Sequence, residues 1–252
     1  MRMQSQELMR GLIPYLLVLI SLLIPVNSYS GEWRITPIRI DFLPREKTSS
    51  LTVFNEDKIP LSFQVKAMLW TQDENGKDVY EETEDVIFFP KVFSLQPGKD
   101  RLIRLGLRNP PPVKEKAYRI YVEEIPSQPK TEGVAVQIAL RFGIPVFVKP
   151  LKEETKWEIT KKGIEKGTFF IEIENRGNHH FEILSIKITG LKGEREVFSK
   201  EIRGWYLLSG AKRSYSEKID ECKNIDKLIF TLVTDRFTFS DKIDVEQGFC
   251  SL

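Results

Sequence analysis

Val134–Lys149 reads VAVQIALRFGIPVFVK, and its alternation decides the fold. Every even position from Val134 to Val148 is apolar: Val134, Val136, Ile138, Leu140, Phe142, Ile144, Val146 and Val148. The odd positions are small, polar or special, with Phe147 the one bulky exception. A period of two held this long belongs to an extended strand with one apolar face. At ~3.3 Å per residue it would run about 50 Å, against an ordinary strand of about 5–6 residues. One small sandwich cannot cover such a face along its whole length. Two arrangements fit: a strand bent between two sheets, or an apolar edge meant for another polypeptide. The second is the expectation.

Upstream of this strand the chain is rich in strand signals. Trp33–Phe42 (WRITPIRIDF) alternates with Ile35, Pro37 and Arg39 on one face and Thr36, Ile38 and Ile40 on the other. Pro37 has no ladder donor, so this is an edge strand or a strand with a break. Ser50–Asn55 and Leu61–Trp70 read as a pair across the turn Glu56–Pro60. Asp100–Leu107 and Ala117–Ile125 are further strands, and the acidic run Glu81–Asp85 reads as a solvated loop. Downstream, Pro150 ends the long strand and the polar stretch Leu151–Lys156 is a natural boundary. The pattern then restarts: Phe169–Glu174, Phe181–Thr189, Glu196–Ile202, Arg213–Ile219, Lys227–Val233 and Phe237–Ile243 are short strands at sandwich-like spacing. The fold class is all-β, with two β-sandwich domains, 31–150 and 151–252.

Residues 1–30 are expected to lie outside that fold. Arg2 and Arg10 lead into the apolar run Leu12–Val26, followed by small polar residues through Ser30. This is the layout of a secretory signal peptide with a cut near Gly31. The chain is then exported, and its two cysteines, Cys222 and Cys250, point to a disulfide. A net charge of +2 suggests no nucleic-acid partner.

Enzyme chemistry finds little support. The only histidines, His179 and His180, are adjacent at a turn, which suits a structural or surface role. There is no third ligand at metal spacing, no glycine-rich phosphate loop and no G-x-S-x-G. No catalytic residue, metal, cofactor or small-molecule substrate is expected. Arg39, Arg104 and Arg141 interrupt alternating strands, either as solvent-facing residues or as cleft cations suited to a carboxylate.

Several stretches together resemble the periplasmic pilus-assembly chaperones of the chaperone–usher pathway. They are ITPIRIDF with Asn55 sixteen residues after Arg39, FFPKVFSLQPGKDRLIRLG, YRIYVEEIP and VQIALRFGIPVFVKP. The second domain matches more loosely, through ENRGNHHFEIL and VTDRF. The resemblance implies two immunoglobulin-like domains in an L-shaped arrangement and a periplasmic location. Its partners would be pilin subunits and an outer-membrane usher.

It also implies roles for residues. Val134, Val136, Ile138, Leu140 and Phe142 would fill the groove of a pilin that lacks its own last strand. Arg39 would anchor the pilin's terminal carboxylate. The lysine that better-known members place in the long strand is here Pro145, as in the divergent archaic branch. The second cation therefore stays open among Arg104, Arg141 and Lys149. Glu124, Lys149 and Asp235 match a salt-bridge set that fixes the interdomain angle. Self-association of the free protein to cover its apolar strand also stays open. The rival is a secreted two-domain immunoglobulin-like adhesin or surface-binding module, in which Val134–Leu140 would pair internally.

Overall fold

The computed structural model describes residues 29–30, 32–110, 112–126 and 137–250. The segment 1–28 of the expected leader, and Val134 and Val136 of the long strand, lie outside them.

The first domain contains β1 (Tyr29–Ser30), β2 (Trp33–Thr36), β3 (Ile40–Phe42), β4 (Thr48–Asn55), β5 (Leu61–Gln72), β6 (Asp78–Glu82) and β7 (Val86–Phe89). It continues with β8 (Val92–Leu95), β9 (Asp100–Leu107), β10 (Lys116–Ile125), β11 (Gln137–Ile138) and β12 (Arg141–Val148). One sheet runs β2-β4-β9-β7; the other runs β3-β12-β10-β5-β6, with β8 also on β5. Between them lies a core of residues such as Phe42, Val53, Phe63, Ile103, Ile120 and Val146.

The second domain restarts at β13 (Trp157–Glu165), followed by β14 (Thr168–Asn175), β15 (Phe181–Lys192) and β16 (Arg195–Arg203). Its remaining strands are β17 (Tyr206–Leu207), β18 (Lys212–Lys218), β19 (Lys227–Thr234) and β20 (Thr238–Asp244). They form the sheets β13-β14-β18 and β16-β15-β19-β20, with β17 on β15. Cys222 and Cys250 are joined in a disulfide, Cα–Cα 5.6 Å, across a separation of 28 residues.

Two readings of the first domain are corrected. The break expected at Pro37 is present, with the chain leaving one sheet there and entering the other, and it is the face assignment of Trp33–Phe42 that is corrected. That crossing resets the alternation, so Ile35 and Ile40 are both buried while Ile38 is exposed. Nor do β4 and β5 pair; they lie in opposite sheets. The buried amide of Asn55 builds the crossover between them. Its Nδ2 donates to Ile59 O (2.9 Å) and Leu95 O (3.0 Å), and its Oδ1 accepts from Asp57 N (2.9 Å). Asn175, at the end of β14, repeats the device: Nδ2 donates to His179 O (2.8 Å) and Leu207 O (3.0 Å), and Oδ1 accepts from Gly177 N (2.9 Å).

The two domains share apolar contacts. Trp70, Ala117 and Phe147 of the first belong to the cluster that holds Phe169, Leu207 and Phe230 of the second. A hairpin lock lies beside it. Asp78 of β6 accepts from Trp205 Nε1 (2.8 Å) and faces Arg213 (3.6 Å), while Gln72 donates to Tyr206 O and accepts from Leu208 N, both at 2.9 Å.

Candidate functional site

The long strand is divided along its length. From Ile144 to Val148 both faces are covered. The even residues Ile144, Val146 and Val148 enter the first core, and Phe147 faces the second domain, 5.7 Å from the Tyr206 ring. Towards its N-terminus the cover thins. Ile138 is 46% exposed and Phe142 40% exposed, Phe142 resting edge-on against Trp33 at 4.6 Å. Leu140 is half-buried against the first domain's own core.

The backbone is uncovered in the same region. β10 pairs antiparallel with β12 over its whole length, Glu123↔Arg141 to Lys116↔Val148. On the other side β3 reaches only Val146–Val148. Among the described residues, Arg141–Pro145 is therefore a sheet edge, an available ladder for an added strand. Further back, Tyr29–Ser30 pairs in parallel with Gln137–Ile138.

Beside the covered end lies a cleft between the domains. The short segment from Pro37 to β3 carries Arg39 into it. Arg39 Nε and Nη2 donate to the two Asp41 carboxylate oxygens at 2.8 and 2.9 Å. Its guanidinium lies 4.8 Å from the centre of the Phe147 ring. Nη2 is also 3.1 Å from His180 Nε2 of the second domain. Burial alone would lower the Arg39 pKa, but its ion pair with Asp41 outweighs this and raises it. The same pair overcomes the burial of Asp41 and holds that carboxyl below its usual range.

The candidate second cations are elsewhere. Arg104 is exposed on the outer face of the opposite sheet. Arg141 reaches Glu123 (3.3 Å) and the Tyr121 ring (4.8 Å) at the far end of β12. Lys149 is held by Glu153 at 3.2 Å. The arginine that does flank the cleft is Arg119, which the sequence reading passed over. Arg119 is the cross-strand partner of Pro145, the position where the long-strand lysine is missing. Only 8% exposed, it donates to Gly143 O (3.0 Å) and stacks 4.0 Å from the Trp70 ring centre. The rings of Trp205 and Tyr206 are each 5.9 Å away. Among the described residues no carboxylate pairs with it, so its burial rests on the hydrogen bond to Gly143 O and on cation–π contact. Burial pushes the Tyr206 hydroxyl pKa up, against the pull of the Arg39 and Arg119 charges.

Glu124, Lys149 and Asp235 do not form one salt bridge. Glu124 sits at the other end of the strand pair, its N–H on Leu140 O (3.0 Å), and burial pushes its carboxyl up. The separation from Leu140 to Lys149 is roughly 30 Å of strand. Lys149 and Asp235 are linked only through intermediates. Lys149 meets Glu153 at 3.2 Å, Glu153 meets Arg236 at 3.5 Å, and Arg236 meets Asp235 at 3.7 Å. Glu153 comes from the interdomain linker, where one anion serves cations of both domains.

Two immunoglobulin-like sandwiches, the first with an uncovered last strand flanked by Arg39 and Arg119, define a class by fold: the two-domain immunoglobulin-like proteins. Residues 33–153 match the family described as pili and flagellar-assembly chaperone, PapD N-terminal domain, and the first domain of this chain belongs to it. The chain is 26% identical to the chaperone protein FanE of Escherichia coli over 177 residues, 65% of this chain and 71% of FanE. It is 28% identical to the chaperone protein LpfB of Salmonella typhimurium over 136 residues, 52% of this chain and just over half, 56%, of LpfB. The fold matches the Acinetobacter baumannii CsuC–CsuE chaperone–tip adhesion subunit pre-assembly complex from archaic chaperone–usher Csu pili (TM-score 0.59, 21% identity, 84% of this chain and 98% of that one). It also matches the E. coli chaperone DraB (TM-score 0.54, 20% identity, 87% and 98%). The family model and both of these relatives are chaperones, not adhesins.

Proposed function

We propose that this chain works in the periplasm, without enzymatic chemistry, and lends Val134–Phe142 to pilin subunits that lack a strand, then passes them to an outer-membrane usher. Residues 1–30 would be removed on export, 31–150 would bind the pilin and 151–252 would form the second domain. The supporting observation is the open edge Arg141–Pro145, with Ile138 and Phe142 exposed on the face that continues into the first core. A strand added there would extend one sheet and one apolar layer together. Each groove-filling side chain would contribute ~1.5–3 kcal/mol before the costs of ordering. Removal of the leader at Gly31 would also take Tyr29–Ser30 off Gln137–Ile138 and lengthen the edge.

Arg39 would anchor the pilin's carboxylate, with Arg119 as the second cation of the cleft. Arg119 meets that role by position, across from Pro145, and by being a buried cation with aromatic walls and no paired carboxylate among the described residues. The test is co-expression with the neighbouring pilins and mass spectrometry of what co-purifies. Ile138→Asp should fold and lose the pilin. A folded Ile138→Asp protein that retains its pilin in full would overturn strand donation.

A further inference from the structure

His180 is fully buried, although it lies at a turn, and both its ring nitrogens are engaged. Nε2 lies 3.1 Å from Arg39 Nη2, and Nδ1 lies 2.5 Å from Glu115 Oε1, which also accepts the His180 backbone N–H at 3.0 Å. The ring stacks on Phe147, centres 3.6 Å apart and planes within 15°. A guanidinium only donates hydrogen bonds, so Nε2 must accept. The imidazole is then neutral with its proton on Nδ1, donated to Glu115, whose side chain is 3% exposed. Both termini of this relay, Glu115 and Arg39, belong to the first domain, and its middle belongs to the second.

We propose that His180, fixed by Glu115 and Phe147, is a positioning residue through which the second domain orients the Arg39 guanidinium in the cleft. The proposal rests on Arg39 being the carboxylate anchor and adds how that anchor is aimed. Asp41 holds one side of the guanidinium through Nε and Nη2. His180 takes a further Nη2 hydrogen, so an incoming carboxylate would meet Nη1, on a guanidinium that the Tyr206 hydroxyl also approaches. A shift of the second domain would release the anchor, which ties cleft geometry to capture.

The experiment is NMR on the full chain labelled with ¹⁵N at arginine and histidine, with the Arg39 signal assigned by its loss in Arg39→Lys. His180 should show a protonated Nδ1 and an accepting Nε2; an Nε2–H tautomer would overturn the proposal. In His180→Phe, which keeps the stacking ring, solvent exchange of the Arg39 guanidinium protons should rise at least tenfold. Because that variant leaves the Glu115 carboxylate buried and unpaired, Glu115→Leu/His180→Phe is made alongside and should show the same rise. His180→Gln, which restores an acceptor, should recover part of the protection. Unchanged Arg39 exchange in the folded variants would overturn the relay. If exchange rises as expected while Arg39→Ala still captures pilin at full strength, the anchor reading fails and the positioning stands.

Discussion

Asn55 and Asn175 do one job in two domains: a buried amide closes the loop through which the chain changes sheet. Truncation of Asn175 to alanine would leave the His179 and Leu207 carbonyls and the Gly177 N–H without their partner. We expect a loss of about 2–4 kcal/mol, read as a lower urea midpoint with an unchanged m-value. In the cleft, Arg39→Ala and Arg119→Ala should each weaken pilin capture by about tenfold to a hundredfold, the scale of one charge-assisted hydrogen bond at ~1.5–3 kcal/mol. A titration in which Arg119→Ala binds as tightly as the parent removes it from the anchor. Arg39 could be named as a candidate from the sequence because a motif carried it. Arg119 was not, because alternation in YRIYVEEIP shows only that it leaves the apolar face. Its value comes from lying across from Pro145, and register exists only once β10 and β12 have paired. The histidines were read as divergent and structural, and they are: both rings are buried with separate partners, Thr155 and Glu115, but the contact of His180 with Arg39 needed the domains to meet.

The alternation was readable from Phe142 to Val148, but the single long strand expected from Val134 is interrupted at Ala139–Leu140, between β11 and β12. What alternation could not show is that the odd face is also used at one end, by Phe147 against the second domain with Pro145 buried beside it. WRITPIRIDF misled in the opposite way, since a sheet change at Pro37 restarts the parity that the text of the sequence carries straight through. Gly143 belongs to this scale as well. A Cβ there would meet Tyr121 Cε1 at 2.8 Å, so the Tyr121 ring lies over the glycine in the cross-strand pair. One substitution separates the two ends of the even face. Ile144→Asp buries a carboxylate at a site 2% exposed and should cost more than about 3 kcal/mol, while Ile138→Asp should melt within a few degrees of the parent. Circular dichroism melts check both, and equal melting of the two variants would contradict the division of the strand.

For the whole molecule, the joint matters as much as either sandwich. It is made of the Trp70–Phe147–Tyr206 aromatics, the Asp78 and Gln72 contacts, and the charge chain through Glu153. Of its aromatic part the sequence showed only Phe147, as the one bulky odd residue; Trp70 looks like an ordinary strand residue until a second domain covers it. Ion pairing outweighs burial in Asp41, Glu123 and Glu153 and holds their carboxyls low, as the Lys116 contact does for Asp85. The stability from these depressed acids is complete above their unfolded values, about pH 4–4.5, and is lost as pH falls through the folded ones. Burial lowers the pKa of His179 from 6.5, so the unfolded chain also takes up a proton that the fold resists. Among the described carboxyl groups whose pKa is shifted, Glu124 alone, pushed up by burial, acts in the other sense. The urea midpoint should therefore start to fall below about pH 6.5 and drop more steeply below about pH 4.5. A midpoint flat down to pH 3 would contradict this. Opening Cys222–Cys250 by Cys250→Ser should remove about 3 kcal/mol, from the second domain, by freeing a loop of 28 residues. Finally, because β12 is wedged on both faces from Ile144 to Val148 while its other end is paired along one edge alone, it behaves as a cantilever. The fixed end cannot slide by one residue without turning Val146 out and Phe147 in, so any guest chain must adjust its own alignment to the projecting arm, and the host dictates where pairing begins.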